Sequence, residues 1–355
     1  MVSLALDIDK CSTVLFGKKS WVEGIRESIN ENKSLKIFNQ PVPVKQSDIY
    51  LGDVLHEGGL AKSVMATVDK RYGRIFSAII EVSKILEDYR IDAIGGLSVG
   101  LEIFELAVIP SLLNNAETWT EMNSETETKL ESLQNLMFRH IFAVPMSTPK
   151  PILRWDLGQL SVKEKIHIRK LCFLHHLKNL PSNSLGAEFY ELQVRFDFPG
   201  LIKECKDLLR EYRLPDITEG PYKFTKEAWK NLVKKTIKDK SEKLIKVNMT
   251  EYSKLKNLNT DDENLKIKDY IRKMTLRNAR TKFRIRSQML DVKMNKKSDK
   301  SNADNLWRCD FCRSLDSQSH IMWCPAFVSL REGKNLHDND DLILYVQQVM
   351  KIRSQ

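Results

Sequence analysis

Apolar residues between positions 59 and 212 recur at the spacing of an α-helix, and this pattern constrains the fold more than any other feature of the chain. The longest series consists of Val64, Val68, Ile75, Ile79 and Val82. Intervals of three, four and seven residues place such side chains on one side of a helix, where they can form a core. Glycine is scarce, with 14 residues in 355, as expected for long helices rather than many tight turns. The sequence therefore predicts a mainly α fold.

The ends of individual helices are marked by capping and helix-breaking residues. Ser-x-x-Glu at 124–127 and again at 161–164 matches the capping box that opens a helix. Three prolines between positions 145 and 151 end the first of these helices, because proline lacks the backbone N–H that a helix interior needs. A further short apolar helix is predicted at 342–349.

The first 57 residues predict a different, mixed structure. Short β-prone segments alternate with glycine and proline at 4–9, 13–16, 35–38, 41–44 and 49–52. This is the pattern of short strands joined by turns. We expect a small α+β region here, in front of a helical body.

Composition narrows the class of protein. Apolar residues make up 42% and charged residues 29% of the chain, which is ordinary for a globular protein. The longest stretch without Asp, Glu, Lys or Arg covers only 14 residues, 317–330, whereas a membrane helix needs about 18 or more apolar residues. Six cysteines without a long apolar leader do not indicate a disulfide scaffold. We expect an intracellular protein, nuclear or cytoplasmic, with no membrane segment.

Positive charge is concentrated in one segment. The whole chain has 57 Lys and Arg against 47 Asp and Glu, and residues 221–300 alone hold 24 against 10. A local excess of +14 is typical of a protein that binds RNA or DNA, because each neutralised phosphate releases counterions. A lysine-rich helical face that contacts only water explains the same charge equally well.

Four potential metal ligands lie within sixteen residues, as Cys309-x2-Cys312-x7-His320-x3-Cys324. Three thiolates and one imidazole are the donors of a closed, structural Zn²⁺ site. His320 and Cys324, four residues apart, would share one face of a short helix that Pro325 helps to end. The alternative is three reduced thiols beside an unrelated histidine. Three flanking aromatic residues could stack on nucleic-acid bases, but in so small a module they are expected to form its core: Trp307, Phe311 and Trp323.

A cluster of cations precedes the metal ligands. It consists of Arg272, Lys273, Arg277, Arg280, Lys282, Arg284 and Arg286, with no acidic residue between them. Positions 273, 277, 280 and 284 advance by four, three and four residues, which predicts one stripe along a helix. Guanidinium groups bind phosphate through paired N–H donors, so the stripe predicts contacts with a nucleic-acid backbone. A solvated helix face is the alternative.

Two patterns that match catalytic motifs are not interpreted as active sites. Residues 96–100 fit the G-x-S-x-G nucleophile turn of α/β-hydrolases, but a charged helical stretch precedes them instead of the strand that the turn needs. Cys172, His175 and His176 lie on a leucine-rich helix. Packing in the helical core is the commoner explanation for histidines in such a place.

Several short segments, in their order along the chain, resemble the C-terminal half of a reverse transcriptase from a non-LTR (LINE-type) retrotransposon. Residues 4–11 (L-x-L-D-x-x-K-C) are similar to a family segment that follows the catalytic aspartates, with Ser3 and Asp7 in place of the usual Gly and Asn. Tyr50-Leu51-Gly52 resembles the primer-grip turn of the family. Glu117-Thr118-Trp119 resembles the end of its thumb helix.

Later segments continue this resemblance. Residues 145–149 and 170–177 are similar to helical segments beyond the thumb, and Leu276-Arg277 followed by the Cys/His cluster resembles the C-terminal zinc module. The resemblance implies part of an RNA-directed DNA polymerase, whose fingers and most of whose palm would lie before Met1.

The catalytic residues of that family are not among these segments. Polymerisation in the family uses aspartates, two of them in a Tyr-x-Asp-Asp turn, to hold two Mg²⁺ ions. The sequence contains no such turn, so Mg²⁺ is expected only if missing residues supply the aspartates. Lys10 is then the one accessory candidate, as a proton donor to pyrophosphate. The chain alone is not expected to polymerise DNA.

The resemblance also implies a division of the chain. Its parts are a palm remnant with the primer-grip turn (1–57), a helical thumb-like domain (58–215), a basic helical or linker region (216–300), a zinc module (301–335) and a C-terminal helix (336–355). The expected function is RNA or DNA binding by a truncated reverse transcriptase, through Tyr50, Leu51, Gly52 and the cluster of cations. The alternative is a helical protein-interaction module, stabilised by zinc, with no nucleic-acid role.

Overall fold

A computed structural model describes residues 11–16, 19–37, 39–88, 93–220, 224–256, 258, 264–295 and 307–355. The strand predicted at 4–9 and the candidate Lys10 lie outside these residues. Most of the described residues are helical, and the few short strands lie near the N-terminus. This confirms the predicted fold class, a mainly α protein with a small α+β region at its N-terminal end.

The helices vary widely in length. They are α1 (Lys19–Asn32), α2 (Leu60–Asp88), α3 (Gly96–Ile103), α4 (Ile109–Leu112), α5 (Ser124–Phe142), α6 (Lys150–Asp156), α7 (Val162–Lys178), α8 (Leu185–Phe196), α9 (Leu201–Glu211), α10 (Lys226–Thr250), α11 (Asp269–Lys273), α12 (Leu276–Arg286), α13 (Gln318–Trp323), α14 (Val328–Arg331) and α15 (Asn339–Arg353). A π-helical turn joins α3 to α4, and short 3₁₀ turns occur at Ala116–Thr118, Lys293–Asn295 and Pro325–Phe327. None of the described helices is long and apolar enough to span a lipid bilayer.

Within the described residues, six short strands form three separate pairs. The strands are β1 (Thr13–Val14), β2 (Lys36–Ile37), β3 (Gln40–Pro41), β4 (Val44–Lys45), β5 (Ser47–Tyr50) and β6 (Asp53–His56). β1 pairs with β4 in parallel, whereas β2–β3 and β5–β6 are antiparallel. The sequence predicted most of these strands but not α1. Asn30 of α1 bonds both the N–H and the carbonyl of Val44 at 2.9 Å, which attaches the helix to β4.

The chain folds into two compact units. Unit 1 comprises Met1–Ser77, Ala107–Gln134 and Ser161–Lys238, and unit 2 comprises Ala78–Leu106, Asn135–Leu160 and Asp239–Gln355. Each unit therefore draws on three stretches of sequence. The five-part division expected from the sequence stays a prediction.

Helix α7 organises much of unit 1. Its capping box forms as predicted, since the Ser161 hydroxyl accepts from the Glu164 N–H at 3.1 Å and the Glu164 carboxylate accepts from the Ser161 N–H at 2.7 Å. The His175 ring stacks on buried Trp229, and its Nε2 lies 3.1 Å from the Phe224 carbonyl. Because this ring is packed, the structure agrees with the interpretation that the histidine pair belongs to the helical core and not to an active site.

The start of α5 differs from the prediction. The residue that caps it is Asn123, whose side-chain oxygen accepts from the Thr126 N–H at 2.8 Å. Ser124 is already inside the helix. Asparagine is as good a cap as serine, so the residue one position earlier takes the role that the Ser-x-x-Glu pattern assigns to Ser124.

In unit 2, α12 packs on α3 and next to the C-terminal end of α5. Buried Gly96 of α3 leaves room for Leu276, because a Cβ at Gly96 would lie only 3.0 Å from the Leu276 Cβ. The rings of Phe142 and Phe283 stack with their centroids 3.6 Å apart. Ser98 lies inside α3 and donates to the Gly95 carbonyl at 2.7 Å. The G-x-S-x-G pattern therefore forms a helix and not a nucleophile turn.

A prediction follows from the close approach of Gly158 to another segment of unit 2. Gly158 has a φ of +63°, and a Cβ there would lie 2.4 Å from the Ile267 backbone nitrogen. Gly220 has a nearly identical φ of +64° but has open space at the Cβ position. Gly220→Ala should cost only the left-handed backbone strain, about 1–2 kcal/mol. Gly158→Ala should cost about 1–3 kcal/mol more, because backbone atoms must move. Denaturant unfolding of both variants tests this, and equal costs would contradict it.

Candidate functional site

The four predicted metal ligands lie together in unit 2, on a tight turn and a short helix. The Cys309 N–H donates to the Ser314 carbonyl at 2.7 Å, and the Arg313 N–H donates to the Cys309 carbonyl at 2.9 Å. These bonds close the turn that carries the first two thiols. Arg313 has a φ of +64°, a conformation that lets the chain reverse tightly.

The other two ligands are positioned by α13. The hydroxyl of Ser317 caps this helix by accepting from the His320 N–H at 3.0 Å. Cys324 follows the last helical residue directly, and Pro325 begins the next 3₁₀ turn. His320 and Cys324 therefore lie one turn apart at the end of a short helix, much as their spacing predicts.

The four donor atoms are close enough together to surround one ion. They all lie within 4.8 Å of one another. The Cys312 Sγ lies 3.2 Å from the His320 Nε2 and 3.6 Å from the Cys324 Sγ. A tetrahedral site with metal–sulfur bonds of about 2.3 Å has sulfur atoms about 3.8 Å apart. The arrangement can hold a metal ion, and its residues are the four that the sequence predicts.

Two of the thiols have displaced pKa values. Burial raises the pKa of the Cys324 thiol to about 11. Burial also opposes ionisation of Cys312, but hydrogen bonds from Ser314 and from the neighbouring thiols hold the pKa of Cys312 below its usual range. A bound cation would stabilise the thiolate form of each thiol, since thiolates are the ligands.

The core around these ligands is not the predicted one. Trp323 is 72% and Phe311 47% exposed, and Trp307 is only half-buried. The buried core instead consists of Leu290, Val292, Cys309, Ile321, Cys324, Phe327, Tyr345, Val346 and Val349. Because α15 packs against α13 and α14, most of this core comes from residues outside 307–324, and not from the three flanking aromatic residues.

Polar contacts fix the ligand segment to α15. The Tyr345 hydroxyl donates to the Ile321 carbonyl at 2.6 Å, and Arg353 forms a paired contact with fully buried Asp316 at 2.5 and 2.9 Å. Burial opposes the charge on Arg353, but the hydrogen bonds and negative charge of Asp316 hold its pKa above the usual value. The metal ligands therefore sit on a scaffold that extends to the end of the last helix.

The predicted stripe of cations is broken. Arg272 and Lys273 lie on α11, whereas the cations from Arg277 to Arg286 lie on α12. Thr275 caps α12 by accepting from the Asn278 N–H at 3.3 Å. Because a helix end separates positions 273 and 277, the predicted single row does not form.

Two arginines of α12 bind backbone carbonyls at the end of α5. Arg280 donates to the Ile141 carbonyl at 3.0 Å, and Arg284 donates to the Ala143 carbonyl at 2.6 Å. The last carbonyls of a helix lack partners within the helix, so these arginines cap α5. Burial lowers the pKa of both guanidinium groups.

Arg286 has a structural partner as well. Its Nε and a terminal nitrogen lie 3.1 and 3.2 Å from the carboxylate oxygens of Asp156, which is fully buried. The Tyr270 hydroxyl donates to the same carboxylate at 2.7 Å. In contrast, Arg272 and Arg277 are exposed, and exposed Lys273 pairs with Asp269 at 2.7 Å. Of the cations predicted to contact phosphate, the first three in the sequence are the most accessible: Arg272, Lys273 and Arg277.

Tyr50-Leu51-Gly52 forms the tip of the β5–β6 hairpin in unit 1. Leu51 and Gly52 have φ angles of +49° and +91°, as a two-residue hairpin turn requires. Arg71 supports the tip by donating to the Gly52 carbonyl at 3.2 Å and to the Asp53 carboxylate at 2.5 Å. Tyr50 and Leu51 are 64% and 72% exposed. These residues form a hairpin turn whose side chains are accessible, and their role as a primer grip stays a prediction.

A row of lysines on α10 was not among the predicted contacts. Its members advance by four residues on one side of the helix and are Lys226, Lys230, Lys234 and Lys238. Lys230 is half-buried and the other three are exposed. No described carboxylate forms an ion pair with Lys226, Lys234 or Lys238. The regular spacing was visible in the sequence, but only the buried Trp229 and Val233 show which side faces outward.

Comparisons with protein-family models, with curated proteins and with solved structures found no match for this chain. The resemblance to a non-LTR reverse transcriptase therefore remains a prediction from short segments. What the structure itself provides is a group of four possible metal ligands and a set of accessible cations.

The ion pair of Arg286 gives a prediction that separates its structural role from a role in binding. Arg286→Gln should lower the free energy of unfolding by about 3–5 kcal/mol, because it leaves the Asp156 carboxylate buried without its partner charge. Arg272→Gln is the matched control, since this arginine is exposed and its loss should change stability by less than about 0.5 kcal/mol. Denaturant unfolding measures both, and an unchanged Arg286→Gln variant would contradict the assignment.

Proposed function

We propose that the chain binds RNA or DNA through exposed cations and that a structural zinc ion stabilises part of unit 2. The observation that carries the proposal is the lysine row of α10, meaning Lys226, Lys230, Lys234 and Lys238. It lies beside a buried apolar row on the same helix, so the lysines are held outward by the packing of the helix. Four cations spaced about 6 Å apart along a helix axis suit a chain of phosphates better than a single small anion.

The resemblance to a non-LTR reverse transcriptase supports the same function. In that interpretation the exposed tip at Tyr50, Leu51 and Gly52 contacts the primer strand, and exposed Arg272, Lys273 and Arg277 contact backbone phosphates. Arg280, Arg284 and Arg286 contribute mainly by holding α12 in place. Polymerisation is not proposed for this chain, because Lys10 has no catalytic aspartates to assist.

Zinc is the metal that the donor set favours. Three thiolates with one imidazole are soft and borderline ligands, which suit Zn²⁺ better than Mg²⁺ or Ca²⁺. The four side chains would together fill all positions of a tetrahedral site, so the ion would stabilise the fold rather than bind substrate. Cys309, Cys312, His320 and Cys324 would hold the ion.

An exposed apolar face on α8 favours a second candidate function, protein interaction without nucleic acid. Leu185, Phe189, Leu192 and Phe196 follow one another by four, three and four residues, and each is at least 43% exposed. Such a row is typical of a helix that packs on another protein. Failure to bind RNA or DNA at low salt would leave this candidate as the better explanation.

The lysine row is tested by replacing three of its members. Lys226→Gln, Lys234→Gln and Lys238→Gln together should weaken RNA binding and lower the slope of log affinity against log salt by about 2, because each lost phosphate contact contributes about 0.7 for a single strand. The control variant neutralises Lys36, Lys62 and Lys84, which are exposed elsewhere. Fluorescence anisotropy over a range of salt measures both. Equal slopes in the two variants would remove the lysine row from the proposal.

The zinc assignment is tested by metal content and stability together. Freshly reduced protein should contain about one equivalent of Zn²⁺. Cys312→Ser should lose the metal and speed hydrogen exchange in α13 and α15, because metal binding contributes directly to folding. Cys172→Ser, which alters a thiol of unit 1, should keep both properties. Less than half an equivalent of zinc in the unaltered protein would count against the assignment.

A further inference from the structure

A cavity in unit 2 lies between α12 and α15, apart from the four metal ligands. Its volume is about 560 Å³, within the range of small-molecule sites, roughly 300–1,000 Å³. Gln347 of α15 donates to the side chains of Asn278 and Thr281 on α12 at 3.0 and 3.2 Å. These bonds, and the core shared by α15 and the metal-ligand segment, hold the two walls together.

The lining of the cavity is strongly cationic. The cations that line it are Arg277, Arg280, Arg284, Lys293, Lys351 and Arg353, and the carboxylates are Asp291 and Asp310. Lys293 pairs with Asp310 at 2.6 Å, and Arg353 pairs with buried Asp316 behind the wall. Even with Asp316 included, six cations face three carboxylates. The described residues therefore leave an excess of positive charge in a concave space.

Two of these cations are held in place before any ligand binds. Arg280 and Arg284 each use one N–H group to cap α5, and a guanidinium has five N–H donors. The positive charge of Arg284 adds to burial in lowering the pKa of Arg280, so the two groups repel each other. An anion would relieve that repulsion. Because contacts with α5 already fix both side chains, binding the anion would cost little further side-chain entropy.

We propose that this cavity binds the phosphate or polyphosphate group of a nucleotide or of a nucleic-acid strand end. A doubly charged phosphate matches the unbalanced guanidinium and ammonium groups. Apolar Leu290, Val346 and Met350 in the same lining offer a surface for a sugar or base. The choice of phosphate over other anions rests on the proposed nucleic-acid binding. The excess of positive charge follows from the cavity lining alone.

The test uses the two accessible cations of the cavity, so that the α5 caps remain intact. Arg277 and Lys351 are exposed at its mouth, and no described carboxylate forms an ion pair with either. The full chain is titrated calorimetrically with pyrophosphate and with ATP at about 50 mM salt, where phosphate contacts are strong. Arg277→Gln and Lys351→Gln should each weaken binding about tenfold, the effect of one charge-assisted contact. Lys150→Gln and Lys266→Gln, at exposed lysines of unit 2 that do not line the cavity, are the controls and should bind within about twofold of the unaltered chain.

A second arm identifies the source of the phosphate. A short oligonucleotide is compared with and without a 5′-phosphate by anisotropy. A gain in affinity from the 5′-phosphate that Arg277→Gln abolishes supports a strand end, and tight ATP binding without that gain supports a free nucleotide.

The outcomes also separate this inference from the proposed function. If neither pyrophosphate nor ATP binds while RNA still binds through the lysine row, the cavity proposal is wrong and the proposed function stands. If pyrophosphate binds and depends on Arg277 but RNA does not bind, the cavity stands and the proposed function is wrong. Anion binding that neither substitution alters would place the anion elsewhere and overturn the inference.

Discussion

The paired contact between Arg286 and the buried carboxylate of Asp156 determines where α12 lies in unit 2. Asp156 also accepts from the Tyr270 hydroxyl, and its main-chain carbonyl accepts from the Lys268 N–H. One residue thus joins α6, α11 and α12. A carboxylate without solvent contact is tolerated only when its charge and lone pairs are satisfied. These contacts anchor α12 to α6 and α11, and the arginines on its other sides acquire distinct environments.

That position explains how one run of cations serves different purposes. Arg280 and Arg284 reach the unpaired carbonyls at the end of α5, and they also line the cavity beside α15. Arg277, one turn earlier, has no such partner among the described residues and lies exposed at the mouth of the cavity. A cluster that looks uniform in sequence is therefore part scaffold and part accessible surface. Both parts carry an excess of positive charge. Only the accessible cations can form new contacts with phosphate without disturbing the fold.

The features that sequence predicted well are those that depend on neighbouring residues. The metal ligands lie within sixteen positions, so their spacing alone brings them together. The capping box of α7 is equally local. The roles of Arg280 and Arg284 depend on carbonyls about 140 residues away, and no local pattern predicts such a contact. The aromatic residues near the ligands were misassigned for the same reason, since the core is completed by α15.

The metal ligands and the cavity are coupled because they share one core. Leu290 and Val346 line the cavity and also belong to the buried cluster that contains Cys309 and Cys324. An ion bound by the four ligands adds its binding free energy to the folding of that cluster. By thermodynamic linkage, whatever stabilises the cluster also stabilises the wall of the cavity that α15 provides. An ion held by the four ligands would therefore favour the proposed anion binding at a distance, by keeping α15 packed and its cations facing those of α12.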